Sequence, residues 1–227
     1  MAKGQRFLIG GLVSIALFII NTVLVLSGTT QSLDASLALS INNAYLGGTV
    51  TELMVLASQY GREVVWTLVV GVMVLLGKKE TRLLGMELAA LFVLGIVTGD
   101  VLKTVWFRPR PFDPASGVGG IVTRIGLDTD SSYPSGHALI VSIGAAFCLL
   151  KFRKKWLAGL LSVEAALVCY SRIYLGIHFP LDVLGSVFAA CTITFLGTLL
   201  LEKYADELGS MVDYLLGKLV GDGWIRV

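Results

Sequence analysis

His137 and His178 are the only two histidines among the 227 residues, and both lie in polar clusters at the ends of long apolar segments. Lys103, Arg110, Ser135, Arg172 and Asp182 stand around them in sequence. Histidine moves protons near neutral pH and can itself attack phosphorus, while lysine and arginine match the charge of a phosphate. The combination points to phosphoryl chemistry at a membrane.

The clusters come in order. Lys103 closes the third apolar segment, and Arg110 and Pro111 follow it. Pro134, Ser135, Gly136 and His137 open the fourth. Ser171 and Arg172 end the fifth, with His178 and then Asp182 beyond them. One lysine and two arginines supply about three positive charges to a group that carries nearly two, and guanidinium forks grip its oxygens bidentately. Ser135 and Gly136 are expected at a helix start, where free N–H groups and the positive dipole end favour an anion and glycine lets the backbone come close. Pro180 can open the next helix and leave Asp182 in its first turn. A carboxylate beside His178 would fix the ring's tautomer and stabilise its protonated form, as suits a nucleophile. His137, with no carboxylate near it in sequence, suits the proton donor to a leaving oxygen.

The elements that must position these residues are apolar helices. The chain is 55% apolar and 15% charged with a mean hydropathy of +0.80, far from a soluble composition. Spans of roughly 20 residues are needed to cross a bilayer core. Six are predicted, near Phe7–Leu26, Val64–Leu76 extended at both ends, Leu83–Val101, His137–Leu150, Trp156–Tyr174 and Leu181–Leu201. The first is expected to be a retained span, being too long for a signal peptide and lacking an obvious cleavage site. Lysines and arginines at 3–6, 78–82, 151–155 and in the tail argue for cytoplasmic termini, which puts all three clusters on the opposite face.

Between the first two spans, Leu33, Leu37 and Ile41, then Val50, Leu53, Met54 and Ala57, have helical spacing and predict two short helices packed on the bundle mouth or lying in the interface. Leu208, Met211, Val212, Leu215, Leu216, Leu219 and Val220 predict an amphipathic helix over about 203–222. Its polar side lacks a basic face, which favours packing on a second copy of the chain or on the bundle over binding anionic lipid. The expected fold is an all-α integral membrane protein: one domain over 1–227, a six-transmembrane bundle with short interfacial helices, and the motifs within 103–182. Cys148, Cys169 and Cys191 read as buried apolar residues. A net charge of +2 without an aromatic-rich basic run argues against nucleic acid.

The three clusters together resemble the signature motifs of the type-2 phosphatidic acid phosphatase superfamily, which includes polyprenyl-diphosphate phosphatases. Lys103 with Arg110-Pro111, then Pro134-Ser135-Gly136-His137, then Ser171-Arg172 with His178 and Asp182 all match in order and internal spacing. The resemblance implies that His178 is phosphorylated, Asp182 orients it and His137 serves as the acid. Lys103, Arg110, Ser135, Gly136 and Arg172 would hold the phosphoryl oxygens, with Pro111, Pro134 and Ser171 in support. It also implies hydrolysis without a metal or other cofactor and a lipid phosphate or diphosphate as substrate, met in the bilayer.

A metal centre is the rival use of the same residues, but the histidines lack paired spacing and three cations would repel a metal ion. A headgroup-binding transporter would not need His178 with Asp182, and intact motifs argue against a silent scaffold. Phosphatidic acid and phosphatidylglycerophosphate remain alternative substrates. Polyprenyl diphosphate is favoured because Arg108 and Arg124 add charge for a second phosphate. Asp100 is expected to pair with Lys103, and Asp128 and Asp130 to sit in a solvated loop. Glu87 is expected near a helix end, and Glu164 has no partner in sequence.

Overall fold

The computed structural model describes residues 2–125, 129–204, Ser210 and Tyr214. Among the described residues there are eight α-helices: α1 (Lys3–Leu26), α2 (Gln31–Asn43), α3 (Gly48–Tyr60), α4 (Trp66–Leu76), α5 (Lys79–Val105), α6 (Gly136–Lys151), α7 (Lys155–Tyr174) and α8 (Pro180–Lys203). A π-helical turn, Gly61–Val65, joins α3 to α4 without a break, so that Gly48–Leu76 is one 29-residue apolar rod. The predicted second interfacial helix is therefore the first half of the second span. Gly47 caps its start and Gly48 is its first residue.

Five helices among the described residues are long and apolar enough to cross a membrane: Lys3–Leu26, Gly48–Leu76, Lys79–Val105, Lys155–Tyr174 and Pro180–Lys203. The sixth expected span, α6, has only 16 residues. At about 1.5 Å per residue it is shorter than a ~30 Å hydrocarbon core. It is also the most enclosed helix, buried almost continuously from Ala138 to Cys148 between α5, α7 and α8. A helix sheathed by protein has no lipid boundary to match. The Trp66 indole packs where Gly144 has no side chain, since a methyl there would meet the ring at 2.2 Å. Leu88, Leu91, Leu139, Ile143 and Phe147 complete this core.

α2 turns its polar side inward. Asp34, Ala38 and Asn42, four residues apart, are buried, while Leu33 and Leu37 are exposed. That is the orientation expected of a short helix beside lipid, where apolar side chains face out and polar ones find protein partners. Asn42 ties it down, with Nδ2 donating to the Val122 and Tyr174 carbonyls at 2.9 Å each and Oδ1 accepting from Val122 N–H at 2.8 Å.

The chain's direction sorts its charges to the two ends. Lys151 bonds Glu87 at 3.0 Å and Glu202 at 2.7 Å, and Lys3 bonds Glu202 at 2.6 Å, so the start of α1, the start of α5 and the ends of α6 and α8 meet at one end. Glu87 is thus ion-paired. The three motif clusters lie at the other end. Most of the expected tail helix (about 203–222) and Asp128 lie outside the described residues.

Candidate active site

The third cluster is built by a tight connection between α7 and α8. The Arg172 carbonyl accepts from the N–H groups of Ile177 and His178 at 3.1 and 3.2 Å, folding the chain back so that His178 sits against Arg172. Gly176 takes φ +79°, and a side chain there would strike the Val122 carbonyl at 2.8 Å. Pro180 opens α8, and Asp182 in its first turn accepts from the Phe179 N–H at 2.9 Å.

His178 is buried, and its Nδ1 lies 2.8 Å from the Ser132 carbonyl oxygen. A carbonyl can only accept, so Nδ1 carries the proton and Nε2 keeps its lone pair. Nε2 lies 3.4 Å from the Arg110 guanidinium. Asp182 is 3.7 Å from Nδ1, beyond hydrogen-bond distance. The direct His178–Asp182 bond expected from their spacing is therefore not made. Ser132 stands between them, its carbonyl on His178 and its hydroxyl donating to Asp182 Oδ2 at 2.5 Å.

The other Asp182 oxygen is 2.5 Å from Arg108, whose second nitrogen is 2.7 Å from Asp34. All three groups are almost fully buried, and Arg108 also lies over the Phe179 ring, 4.1 Å from its centre. Burial opposes the guanidinium charge, and the two carboxylates outweigh it, so Arg108 stays protonated. Asp34 in turn accepts from the Leu181 N–H at 3.0 Å, capping α8 from another helix. Arg108 is thus neither a surface residue nor a second-phosphate ligand. Arg124 is also structural: it donates to the carbonyls of Asn42 and Tyr174 at 2.7 and 2.8 Å and lies over the Tyr174 ring.

A cavity of about 430 Å³ opens beside His178, lined by Arg62, Lys103, Arg110, Thr129, Asp130, Gly136, His137, Arg172 and His178. Thus His137, His178, Lys103, Arg110, Gly136 and Arg172 come together, although they lie on different elements. Ser135 does not line the cavity. It is fully buried and caps α6, its side chain accepting from the Ala138 N–H. Ser171 is buried too, and its hydroxyl donates to the Val168 carbonyl at 2.7 Å within its own helix. Pro111 and Pro134 are buried in the loops that carry Arg110 and Ser135.

Sequence spacing missed five participants: Ser132, Asp34, Asp130, Arg62 and Ser58. Asp130 is not a plain solvated loop residue. It pairs with both Lys103 and Arg110, taking the place expected of Asp100 on Lys103. Partial burial opposes its ionisation, but the bonds and charges of those two cations hold its carboxyl at about 2. Ser58 Oγ lies 2.6 Å from the Arg172 guanidinium. Its only sequence signal, like that of Arg62, was a polar side chain near the mouth of an apolar rod. Among the described residues, no group of three or more His, Cys, Asp or Glu side chains converges as a metal-ligand set.

The sequence model of the PAP2 superfamily matches residues 84–205, which include every motif residue. The chain belongs to the PAP2 superfamily. It is 44% identical over 149 residues to an undecaprenyl-diphosphatase of Sulfolobus acidocaldarius, covering 65% of this chain and 69% of the relative. It is 30% identical over 167 residues to an undecaprenyl-diphosphatase of Bacillus subtilis, covering 72% and 79%. A transmembrane PAP2-type phosphatidylglycerolphosphate phosphatase from Bacillus subtilis has the same fold, with a TM-score of 0.70 at 22% identity over 85% of this chain and 96% of that one. This superfamily member is a multi-pass membrane protein.

Two outcomes test this geometry. Burial, then the charges of Arg172, Arg110 and Lys103, push His178 well below the ordinary histidine value of 6.5. Its ring should stay neutral as the pH falls from 7 to 5, read by NMR with His137→Ala to assign the signal, and a midpoint near 6.5 would contradict the arrangement. Arg108→Ala should cost about 3–5 kcal/mol by leaving two buried carboxylates without a counter-charge. Thermal unfolding in detergent measures the loss, and adding Asp34→Asn should recover part of it.

Proposed function

We propose that this chain is a membrane lipid phosphatase that removes the terminal phosphate of a lipid phosphate or diphosphate, with polyprenyl diphosphate favoured, through a phosphohistidine. The observation that carries the reading is the His178 ring, its Nδ1 bound to a carbonyl and its Nε2 beside Arg110, in a cavity shared with His137 and four cationic side chains. The likeness to two undecaprenyl-diphosphatases supports the choice of lipid.

In the first step His178 Nε2 forms a bond to phosphorus while the bond to the leaving oxygen breaks. The electron pair goes to that oxygen, and His137 supplies its proton. Lys103, Arg110 and Arg172 offset charge on the transferring oxygens, helped by N–H groups at the start of α6 around Gly136. As Nε2 becomes bonded, the ring acquires positive charge. The Ser132 carbonyl and, through the Ser132 hydroxyl, Asp182 stabilise it. Water then attacks the phosphohistidine with His137 taking its proton, and the P–N bond breaks, returning the electron pair to His178 Nε2 and releasing phosphate. Asp130 must yield Lys103 and Arg110 to the substrate, an exchange of one anion for another.

The lysine and arginine distribution supports cytoplasmic termini and a site on the opposite face. The lipid tail would remain in the bilayer and reach the cavity laterally.

Purified protein in excess chelator should release phosphate from at least one of polyprenyl diphosphate, phosphatidic acid and phosphatidylglycerophosphate. His178→Ala should abolish release, and His137→Ala should slow it about 10²–10⁴-fold. No release from any of the three would leave headgroup binding without hydrolysis as the better reading. Asp130→Asn should lower KM, since the substrate no longer displaces a carboxylate. A raised KM would mean instead that Asp130 shapes the cation pair for phosphate.

A further inference from the structure

Arg62 lines the cavity but belongs to none of the three motifs. It sits in the π-helical turn Gly61–Val65, where the second span departs from regular α-helix. Such turns insert an extra residue and re-aim side chains, frequently at functional sites. This one is seated by α7. A methyl at Gly61 would meet Val168 at 2.4 Å and Glu164 Oε1 at 2.8 Å, while the other Glu164 oxygen accepts from the Trp66 indole N–H at 3.1 Å. Glu164, which had no partner in sequence, thus packs against the turn at both ends. The preceding turn of α3 carries Ser58, which holds Arg172.

The position of Arg62 within the cavity is specific. A methyl at Gly136 would lie 3.8 Å from its guanidinium, so Arg62 stands beside the start of α6, next to His137. Arg110 lies 3.4 Å from His178 Nε2, whereas Arg62 stands at Gly136, the residue before His137. Arg110 therefore serves the nucleophile's side and Arg62 the side of the proton donor. In an in-line displacement the leaving oxygen faces away from the attacking nitrogen, and with His137 as its proton donor it lies on the His137 side. Whatever is attached to that oxygen lies near Arg62.

Charge supports the same placement. Lys103, Arg110 and Arg172 already match a single phosphoryl group, and Asp130 binds two of them. Arg62 is a further cation, one-third exposed, whose partner Glu63 is itself half-exposed and readily exchanged for another anion.

We propose that Arg62 binds the inner phosphate of a lipid diphosphate, the one that departs with the lipid, and so selects diphosphates over monophosphates. This rests on the phosphatase reading above. The bond from His178 Nε2 to the terminal phosphorus forms as the bond from that phosphorus to the bridging oxygen breaks. The electron pair passes to the bridging oxygen, which leaves as part of a lipid monophosphate. Arg62 offsets the charge that this group gains, so a diphosphate depends less on the His137 proton than an alcohol leaving group does.

The test compares wild type, Arg62→Ala and Arg62→Lys in full-length protein, with two readouts. The first is calorimetric binding of inorganic pyrophosphate and of inorganic phosphate. The second is kcat/KM for polyprenyl diphosphate and for polyprenyl monophosphate. A lost charge-assisted contact is worth about tenfold or more, so in Arg62→Ala both diphosphate-to-monophosphate ratios should fall at least about tenfold, with Arg62→Lys between. Unchanged ratios in Arg62→Ala, or a wild type that binds pyrophosphate no better than phosphate, would overturn the assignment even if His178-dependent release persists. Loss of pyrophosphate preference in a protein that hydrolyses neither lipid would instead uphold the Arg62 site and reject the phosphatase reading.

Discussion

The buried Arg108 guanidinium, held between Asp34 and Asp182, is the interaction on which the site depends. A charge removed from water is tolerated only when paired and hydrogen-bonded, and Arg108 donates to two carboxylates from different helices. It thereby fixes α2, the loop after α5 and the start of α8 relative to one another. Asp182, once anchored by Arg108, receives the Ser132 hydroxyl, and the Ser132 carbonyl receives His178. The orientation of the His178 ring is set by a chain that begins in a helix outside the motif region.

The same pairing decides the electrostatics of the cavity. With Asp182 neutralised from behind by Arg108, its charge offsets little of that on Lys103, Arg110 and Arg172. Those cations line the cavity with Asp130, which pairs with Lys103 and Arg110, while the fourth lining cation, Arg62, pairs with Glu63. Both of these carboxylates are about half-exposed, so water can take over their solvation when a phosphate displaces them. The cavity is arranged for anion exchange, which suits the proposed binding of a lipid phosphate and release of phosphate.

Lipid surroundings explain why this machinery is confined to one end. Backbone groups within a bilayer must be satisfied inside their own segment, so the body of the protein is helical, and irregular backbone collects where protein or water can serve it. The connection after α5 and the turn after α7 meet at that end, held by hydrogen bonds such as Arg124 N–H to the Leu175 carbonyl at 3.2 Å. The opposite end carries the Lys3, Lys151, Glu87 and Glu202 network and no motif residue.

The sequence by itself determined the helical membrane architecture and the residues that converge as Lys103, Arg110, Gly136, His137, Arg172 and His178. Apolar run length and short polar strings are local properties, and both survive folding. Tertiary structure decided what local spacing cannot encode. Asp182 lies four residues from His178, yet the ring turns to the Ser132 carbonyl, 46 residues away in sequence. Arg108 looked like spare charge for a second phosphate until its partners, each 74 residues distant, took it out of the cavity. Arg62 entered the site only because α7 seats a π-helical turn in the second span. In each case the side chain's role was set by which other helix supplied the nearest charge, and that is a property of packing alone.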